Sequence, residues 1–331
     1  MSKDIDYQLT RRSFIQNTGA LGGGTLLAAC NGDAQQATAT QSLPQRKLGR
    51  TNQKVSALAL GTWPCGRSQD VDTAAVTRLV NEALDLGINF VDTAHNYGKA
   101  EDGIGKALGR RRDQVFLATK VWADDAGAAR LSLEESLRAL RTDYFDLVYL
   151  HSVGNRDVKQ AMDDDGALTY LLQQKAAGKT RFVGISGHSK VKAFVPIIET
   201  GDIDVVMMAM NFVDRHTYGF EEKVLPVANR HNIGVACMKV FGGIRGGFSV
   251  ADGPNPGPQM DSRYIRQAIR YAMGLPGVAT LVIGPHTIEQ LRQNADMVSS
   301  YQPLTAEERV ELSRIGRTLA TQWGQHYGPV A

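Results

Sequence analysis

Four residues spaced through the first half of the chain could together move a proton: Asp92, Tyr97, Lys120 and His151. A buried lysine beside a carboxylate stays charged through the pairing, and its cation is expected to lower the pKa of a neighbouring tyrosine. A tyrosine tuned in this way gives a proton to a forming alkoxide or takes one from an alcohol. A histidine at the same place hydrogen-bonds the substrate oxygen and holds it. Taken singly, each residue has an ordinary structural or solvated reading. Their joint placement is what matters.

That placement comes from the surrounding pattern. From Val55 onward, short apolar runs alternate with longer amphipathic segments. The runs are 55–60, 89–92, 115–120, 146–151, 181–186, 205–210, 234–240 and 280–284. Each is short and nearly continuous in hydrophobicity, as strands buried on both faces should be. Between them lie helical patterns such as 74–86, 131–140 and 221–230. Eight strands alternating with helices predict an α/β fold, a closed parallel (β/α)8 barrel (TIM barrel), with an N-terminal capping hairpin over 45–55 and helices at the C-terminus. No Gly-x-Gly-x-x-Gly follows an early strand, so the open dinucleotide-binding sheet is not expected. In the barrel, Asp92, Lys120 and His151 each close the run of a successive strand, and Tyr97 sits in the loop above. Strand C-termini form the active-site rim, so the four converge on one small volume.

The same residues carry a family resemblance. Asp92-Thr93-Ala94-His95-Asn96-Tyr97-Gly98, followed by Glu101, Gly105 and Leu108, resembles the aldo-keto reductases. So do Leu117-Ala118-Thr119-Lys120, Asp146-Leu147-Val148-Tyr149-Leu150-His151, Lys47-Leu48-Gly49-Arg50-Thr51 and Leu60-Gly61-Thr62-Trp63. The likeness runs in order from about Arg46 to Leu319. It implies a catalytic tetrad of Asp92, Tyr97, Lys120 and His151, with Tyr97 as general acid/base and a small carbonyl or alcohol as substrate. It also implies an extended NADP cofactor, NAD being the alternative, with Thr62 and Trp63 at the cofactor and substrate end of the first strand. Ser186 matches the residue that meets the carboxamide. The asparagine expected next is Gly187, the glutamine of strand six is Met207, and the stacking aromatic of strand seven is Met238. A methionine still packs on an aromatic face. At the adenosine end, Gly284, Gln290, Gln293 and Asn294 match the family segment. The usual basic residue is missing at Gly284, and His286 or Arg292 is expected to serve the 2′-phosphate.

Other chemistries are poorly supplied. The formal charge of +3 over 331 residues is too small and dispersed for a nucleic-acid partner. The one basic cluster, Arg110 to Arg112, follows an apparent helix end and reads as a solvated surface. No zinc-ligand spacing and no Gly-x-Ser-x-Gly elbow occur, so no metal is expected. A hydrolase using Asp92 lacks a second acid at a strand end. The competing reading is a non-catalytic cofactor-binding or sensing barrel tethered at the membrane. His95 and His188 lie near the expected rim, each read first as a hydrogen-bonded loop histidine. Phe241 to Ser262, rich in Gly and Pro, is long enough to be functional and could clasp a cofactor.

The N-terminus reads separately. Thr10-Arg11-Arg12-Ser13-Phe14-Ile15-Gln16 resembles the twin-arginine export motif. A Gly-rich apolar run, too short to span a bilayer, leads to Leu27-Ala28-Ala29-Cys30, which resembles a lipoprotein processing site. We expect a signal peptide over 1–29, a flexible tether over 30–45 and the barrel over 46–331. The partners implied are the twin-arginine export machinery and a lipid anchor at Cys30, with a periplasmic location. Cys65 falls after the first strand and Cys237 inside the seventh, strands not expected to be neighbours, so two free thiols are expected.

Overall fold

The computed structural model describes residues 42–243 and 257–331. The proposed signal peptide, most of the tether and the middle of the proposed clasp lie outside these described residues. A hairpin opens the described chain. Strand β1 (Gln45–Lys47) pairs antiparallel with β2 (Lys54–Ser56). The expected single first run, 55–60, is therefore two strands, because the chain leaves the hairpin at Ser56 and enters the barrel at β3 (Leu58–Gly61). Asn89 fixes this switch, its Oδ1 accepting from the Ser56 amide at 2.7 Å.

Seven further strands follow: β4 (Phe90–Asp92), β5 (Phe116–Val121), β6 (Phe145–Leu150), β7 (Thr180–Gly187), β8 (Val205–Ala209), β9 (Gly234–Met238) and β10 (Val278–Ile283). They close in the order β10-β3-β4-β5-β6-β7-β8-β9, all parallel. Leu48, from the hairpin turn, packs with Val55, Phe90, Phe116, Leu147, Tyr149 and Met207 in the barrel interior. The hairpin thus plugs the end opposite the strand C-termini. Apolar faces of the helices and outward strand residues make the second, larger core, as a two-layer α/β architecture requires. The expected helix 221–230 breaks at Val224 into Phe220–Lys223 and Leu225–Arg230. Pro226 lies in the first turn of the second piece, where its missing N–H costs nothing.

Within the arginine cluster Arg110 is exposed, as the solvated reading expects, but Arg112 departs from it. Arg112 is largely covered: its Nη1 meets Asp146 Oδ2 at 2.9 Å and the Val115 carbonyl at 2.9 Å. Its guanidinium lies 3.9 Å from the Tyr144 ring centroid. The chain winds through a 3-10 helix, Gly109–Gln114, that turns Arg112 back onto the barrel's base, where buried Asp146 needs a cation. Cys65 and Cys237 are both buried and free.

Two C-terminal helices, Ile288–Ser299 and Ala306–Trp323, complete the outer layer. The second starts with a capping box between Thr305 and Glu308, which satisfies orphan amides at both residues. Beyond it the tail is tied down across the ends of β7 and β8. The Tyr327 amide donates to Tyr218 Oη at 2.6 Å, and the amides of Lys190 and Val191 donate to the carbonyls of Pro329 and Val330.

Candidate active site

The ends of β4, β5 and β6 bring Asp92, Lys120 and His151 to one side of the barrel mouth, each two residues further along the ladder than the last, with Asp92 opposite Ala118 and Lys120 opposite Tyr149. The His151 amide donates to the Val121 carbonyl at 2.8 Å, which extends the ladder one step past β6 and aims the imidazole inward. Tyr97 sits in the turn before the helix Ala100–Leu108, its amide bonded to Ala94 O at 3.0 Å. Its ring packs with Ala94, Ala100 and Trp63. None of the four exposes more than 8% of its surface. Lys120 Nζ donates to Asp92 Oδ2 at 2.6 Å and to Thr93 O at 2.8 Å, and lies 4.8 Å from the Tyr97 ring centroid. Tyr97 and His151 stand edge to face at 5.9 Å, and Trp122 meets His151 at 5.2 Å.

Electrostatics assign the protonation states. Burial works against the charge on Lys120, but Asp92 and Tyr97 outweigh it and hold the ammonium protonated. Burial, then the cations Lys120, Arg156 and Lys239, push His151 well below its ordinary range, so it stays neutral. Tyr97 corrects an expectation. Its pKa is raised, not lowered, because burial outweighs the Lys120 cation and Asp92 adds to the rise. The lysine's field at the phenol is opposed by that of its own carboxylate. Tyr97 is therefore held as a proton donor. Asp92 Oδ1 and His151 Nδ1 are buried without a hydrogen-bond partner among the described residues.

A model of the Aldo/keto reductase family matches residues 57–264 of this chain. The chain belongs to that family. It is 26% identical over 303 residues to an uncharacterized oxidoreductase of Bacillus subtilis, YqkF, with 80% of this chain and 94% of that protein covered. An aldo-keto reductase from Bacillus halodurans, solved in its holo form, matches with a TM-score of 0.65 at 26% identity, covering 86% of this chain and 100% of that one. The aldo/keto reductase from Klebsiella pneumoniae solved in complex with NADP and acetate shares the fold, with a TM-score of 0.63 at 23% identity over 82% and 95% of the two chains.

As an aldo/keto reductase, the chain places its expected cofactor residues around the rest of the mouth. Thr62 is buried, its hydroxyl donating to Asp92 O at 2.9 Å, so it braces the end of β4. Trp63 stays partly exposed beside Tyr97. Ser186 Oγ accepts from the Ser152 amide at 3.2 Å. Met207 is buried to 1% and fills the barrel interior, whereas Met238 keeps 8% of its surface. Of the two methionines, Met238 is the one with a face to offer a ring.

Two departures from the family pattern have steric causes. A Cβ on Gly187 would come within 2.7 Å of the Phe194 ring, so Phe194 occupies the room an asparagine side chain would need. A Cβ on Gly284 would lie 2.5 Å from Pro64 Cδ and 2.9 Å from the Gly61 carbonyl, which rules out a basic residue there. At the adenosine end, Gln290 Oε1 accepts from the His286 amide at 2.8 Å, Asn294 is buried and Gln293 is exposed. Arg292 reaches Glu82 at 2.7 Å. The site fits a dinucleotide: an apolar face at Met238 and Trp63, orphaned polar atoms at the reacting end, and a glycine-floored turn before the helix Ile288–Ser299.

Of the two histidines, His95 turns outward, its Nε2 2.9 Å from Glu135 Oε2 and its Nδ1 3.7 Å from Glu101 Oε2. His188 lies inward, 5.6 Å from the Tyr327 ring. Sequence reasoning missed Arg156, which covers Trp122 at 4.2 Å, and Lys239. The strand-end rule that found Lys120 would also have found Lys239, one residue past β9.

Proposed function

We propose that this chain is an NADP(H)-linked oxidoreductase that interconverts a carbonyl and an alcohol, with Tyr97 as the general acid/base. The carrying observation is the buried convergence of Asp92, Lys120, Tyr97 and His151. The nicotinamide supplies or takes the hydride when bound. Neutral His151 donates to the carbonyl oxygen and orients it, Tyr97 delivers its phenolic proton there, and Lys120 with Asp92 stabilises the phenolate left behind. Thr62, Trp63, Ser186, Met238, Gln290, Gln293 and Asn294 would hold the cofactor. Following loss of NADPH absorbance over a panel of aldehydes, ketones and sugars tests this reading. Tight cofactor binding with no turnover on any of them would instead favour a sensing barrel.

Arg292 is the residue we assign to the 2′-phosphate. Arg292→Ala is expected to weaken NADPH binding about tenfold while leaving NADH unchanged, since only the former loses a charge-assisted contact. Equal effects on both, by fluorescence titration, would place the phosphate elsewhere.

We further propose that residues 1–29 direct export by the twin-arginine route, that Cys30 is the acylated N-terminus, and that the barrel crosses with its dinucleotide already bound. The order of Arg11-Arg12, apolar run and Ala28-Ala29-Cys30 supports this reading. Replacing Arg11 and Arg12 by lysine is expected to leave loaded protein in the cytoplasm. Fractionation that finds the variant in the periplasm, or wild-type protein there without dinucleotide, would refute it.

A further inference from the structure

The His151 imidazole is placed by packing. Lys120 is fixed by Asp92 and by the Thr93 carbonyl, at 2.6 and 2.8 Å. No group among the described residues hydrogen-bonds His151 Nδ1, the atom through which an imidazole is often oriented. Two aromatic neighbours hold the ring instead. Tyr97 stands edge to face with it at 5.9 Å and 72°, and Trp122 at 5.2 Å and 86°.

Trp122 would be a poor wall by itself. It lies in the loop after β5 with 45% of its surface exposed, and exposed side chains change rotamer freely. What pins it is Arg156, from the loop after β6. The guanidinium carbon lies 4.2 Å from the Trp122 ring centroid, a cation–π stack. Only 10% of the Arg156 side chain is exposed, so the stack is largely shielded from water, where such contacts are strongest. Arg156 is anchored in turn. Its Nη1 meets Asp124 Oδ2 at 3.2 Å, and its amide donates to Val153 O at 3.2 Å, closing the 3-10 turn Val153–Asn155. Asp124 sits two residues beyond Trp122, and its carbonyl accepts from the Ala167 amide at 3.0 Å, where the helix Ala167–Ala176 begins. A continuous path therefore runs from Asp124 through Arg156 and Trp122 to His151. It staples the loop after β5 to the loop after β6.

We propose that Arg156 is a positioning residue for carbonyl reduction: pinned by Asp124, it holds Trp122 against His151 and so fixes the imidazole that orients the carbonyl oxygen. This inference rests on the oxidoreductase reading above.

Reduction of 4-carboxybenzaldehyde and of its methyl ester, followed with NADPH, tests the role. Arg156→Leu is expected to lower kcat about tenfold for both, the rate equivalent of one cation–π contact, with NADPH affinity little changed. Arg156→Lys, which keeps a cation over the indole, should restore most of the rate. Asp124→Asn, which weakens the anchor alone, should lose less than Arg156→Leu. In a Trp122→Ala background, Arg156→Leu should cost nothing further, because the element it acts through is gone. An undiminished loss in that background would mean that Arg156 acts without Trp122, and it overturns the proposal. So does a loss confined to the acid, which would place Arg156 on the substrate.

A second measurement needs no turnover. The His151 Cε1–H resonance, assigned by its disappearance in His151→Gln, feels the ring current of Trp122. Trp122→Ala is expected to shift it, and Arg156→Leu should shift it in the same direction by much of that amount. A resonance that Trp122→Ala moves and Arg156→Leu leaves in place overturns the clamp, as does one that neither variant moves. If the wild type reduces neither aldehyde, the oxidoreductase reading fails, and the resonance still decides whether Arg156 holds Trp122 against His151.

Discussion

Replacing Tyr97 by phenylalanine is expected to lower turnover by about 10²- to 10⁴-fold, the usual worth of a positioned general acid. NADPH binding should be almost unchanged, because the ring keeps its packing against Ala94, Ala100 and Trp63 and only the hydroxyl is lost. Loss in kcat without loss in cofactor affinity marks an interaction made in the transition state. The pH profile gives a second measurement. Since burial raises the Tyr97 pKa, the phenol remains protonated through neutral pH, and the alkaline limb of carbonyl reduction should fall above about 10, the ordinary phenol value. His151, held neutral by burial and by three nearby cations, should produce no acid limb near its ordinary range. A phenylalanine variant that keeps most of the wild-type rate would mean that another group delivers the proton.

Lys120→Met is expected to abolish activity and to destabilise the fold by about 3–5 kcal/mol, as breaking one side of a buried ion pair does. The cause is Asp92, which would be left with an unpaired carboxylate at 3% exposure. Protonation of Asp92 offers a partial escape, so the deficit should be largest at high pH and shrink as pH falls through the raised Asp92 pKa. Adding Asp92→Asn removes the stranded charge and should recover most of the stability with none of the rate. Denaturant unfolding of the two variants checks this directly. A double variant no more stable than Lys120→Met would show that the 2.6 Å pair does not carry the energy assigned to it.

The barrel and its reacting end were legible in the order of residues because both follow from short-range rules. Buried parallel strands read as continuous apolar runs, and a polar residue closing such a run must sit at the rim. Asp92, Lys120 and His151 satisfy that rule on β4, β5 and β6, and the turn length brings Tyr97 over them. The missing basic residue at Gly284 and the missing asparagine at Gly187 were visible too, but not their cause. Pro64 and the Phe194 ring, which fill those places, come from other segments of the chain.

Sequence by itself determined which chemical groups meet at the mouth of this barrel, since periodicity and strand order suffice to bring them together. Tertiary structure decided their charge states. The sign of the Tyr97 shift depends on how completely water is excluded and on how far Asp92 cancels Lys120, and neither is a property of spacing. Arg112 became an internal partner of Asp146 because a 3-10 turn swung it onto the barrel's base. Burial and electrostatics sum over every neighbour in space, whereas the pattern of a sequence reports only neighbours along the chain.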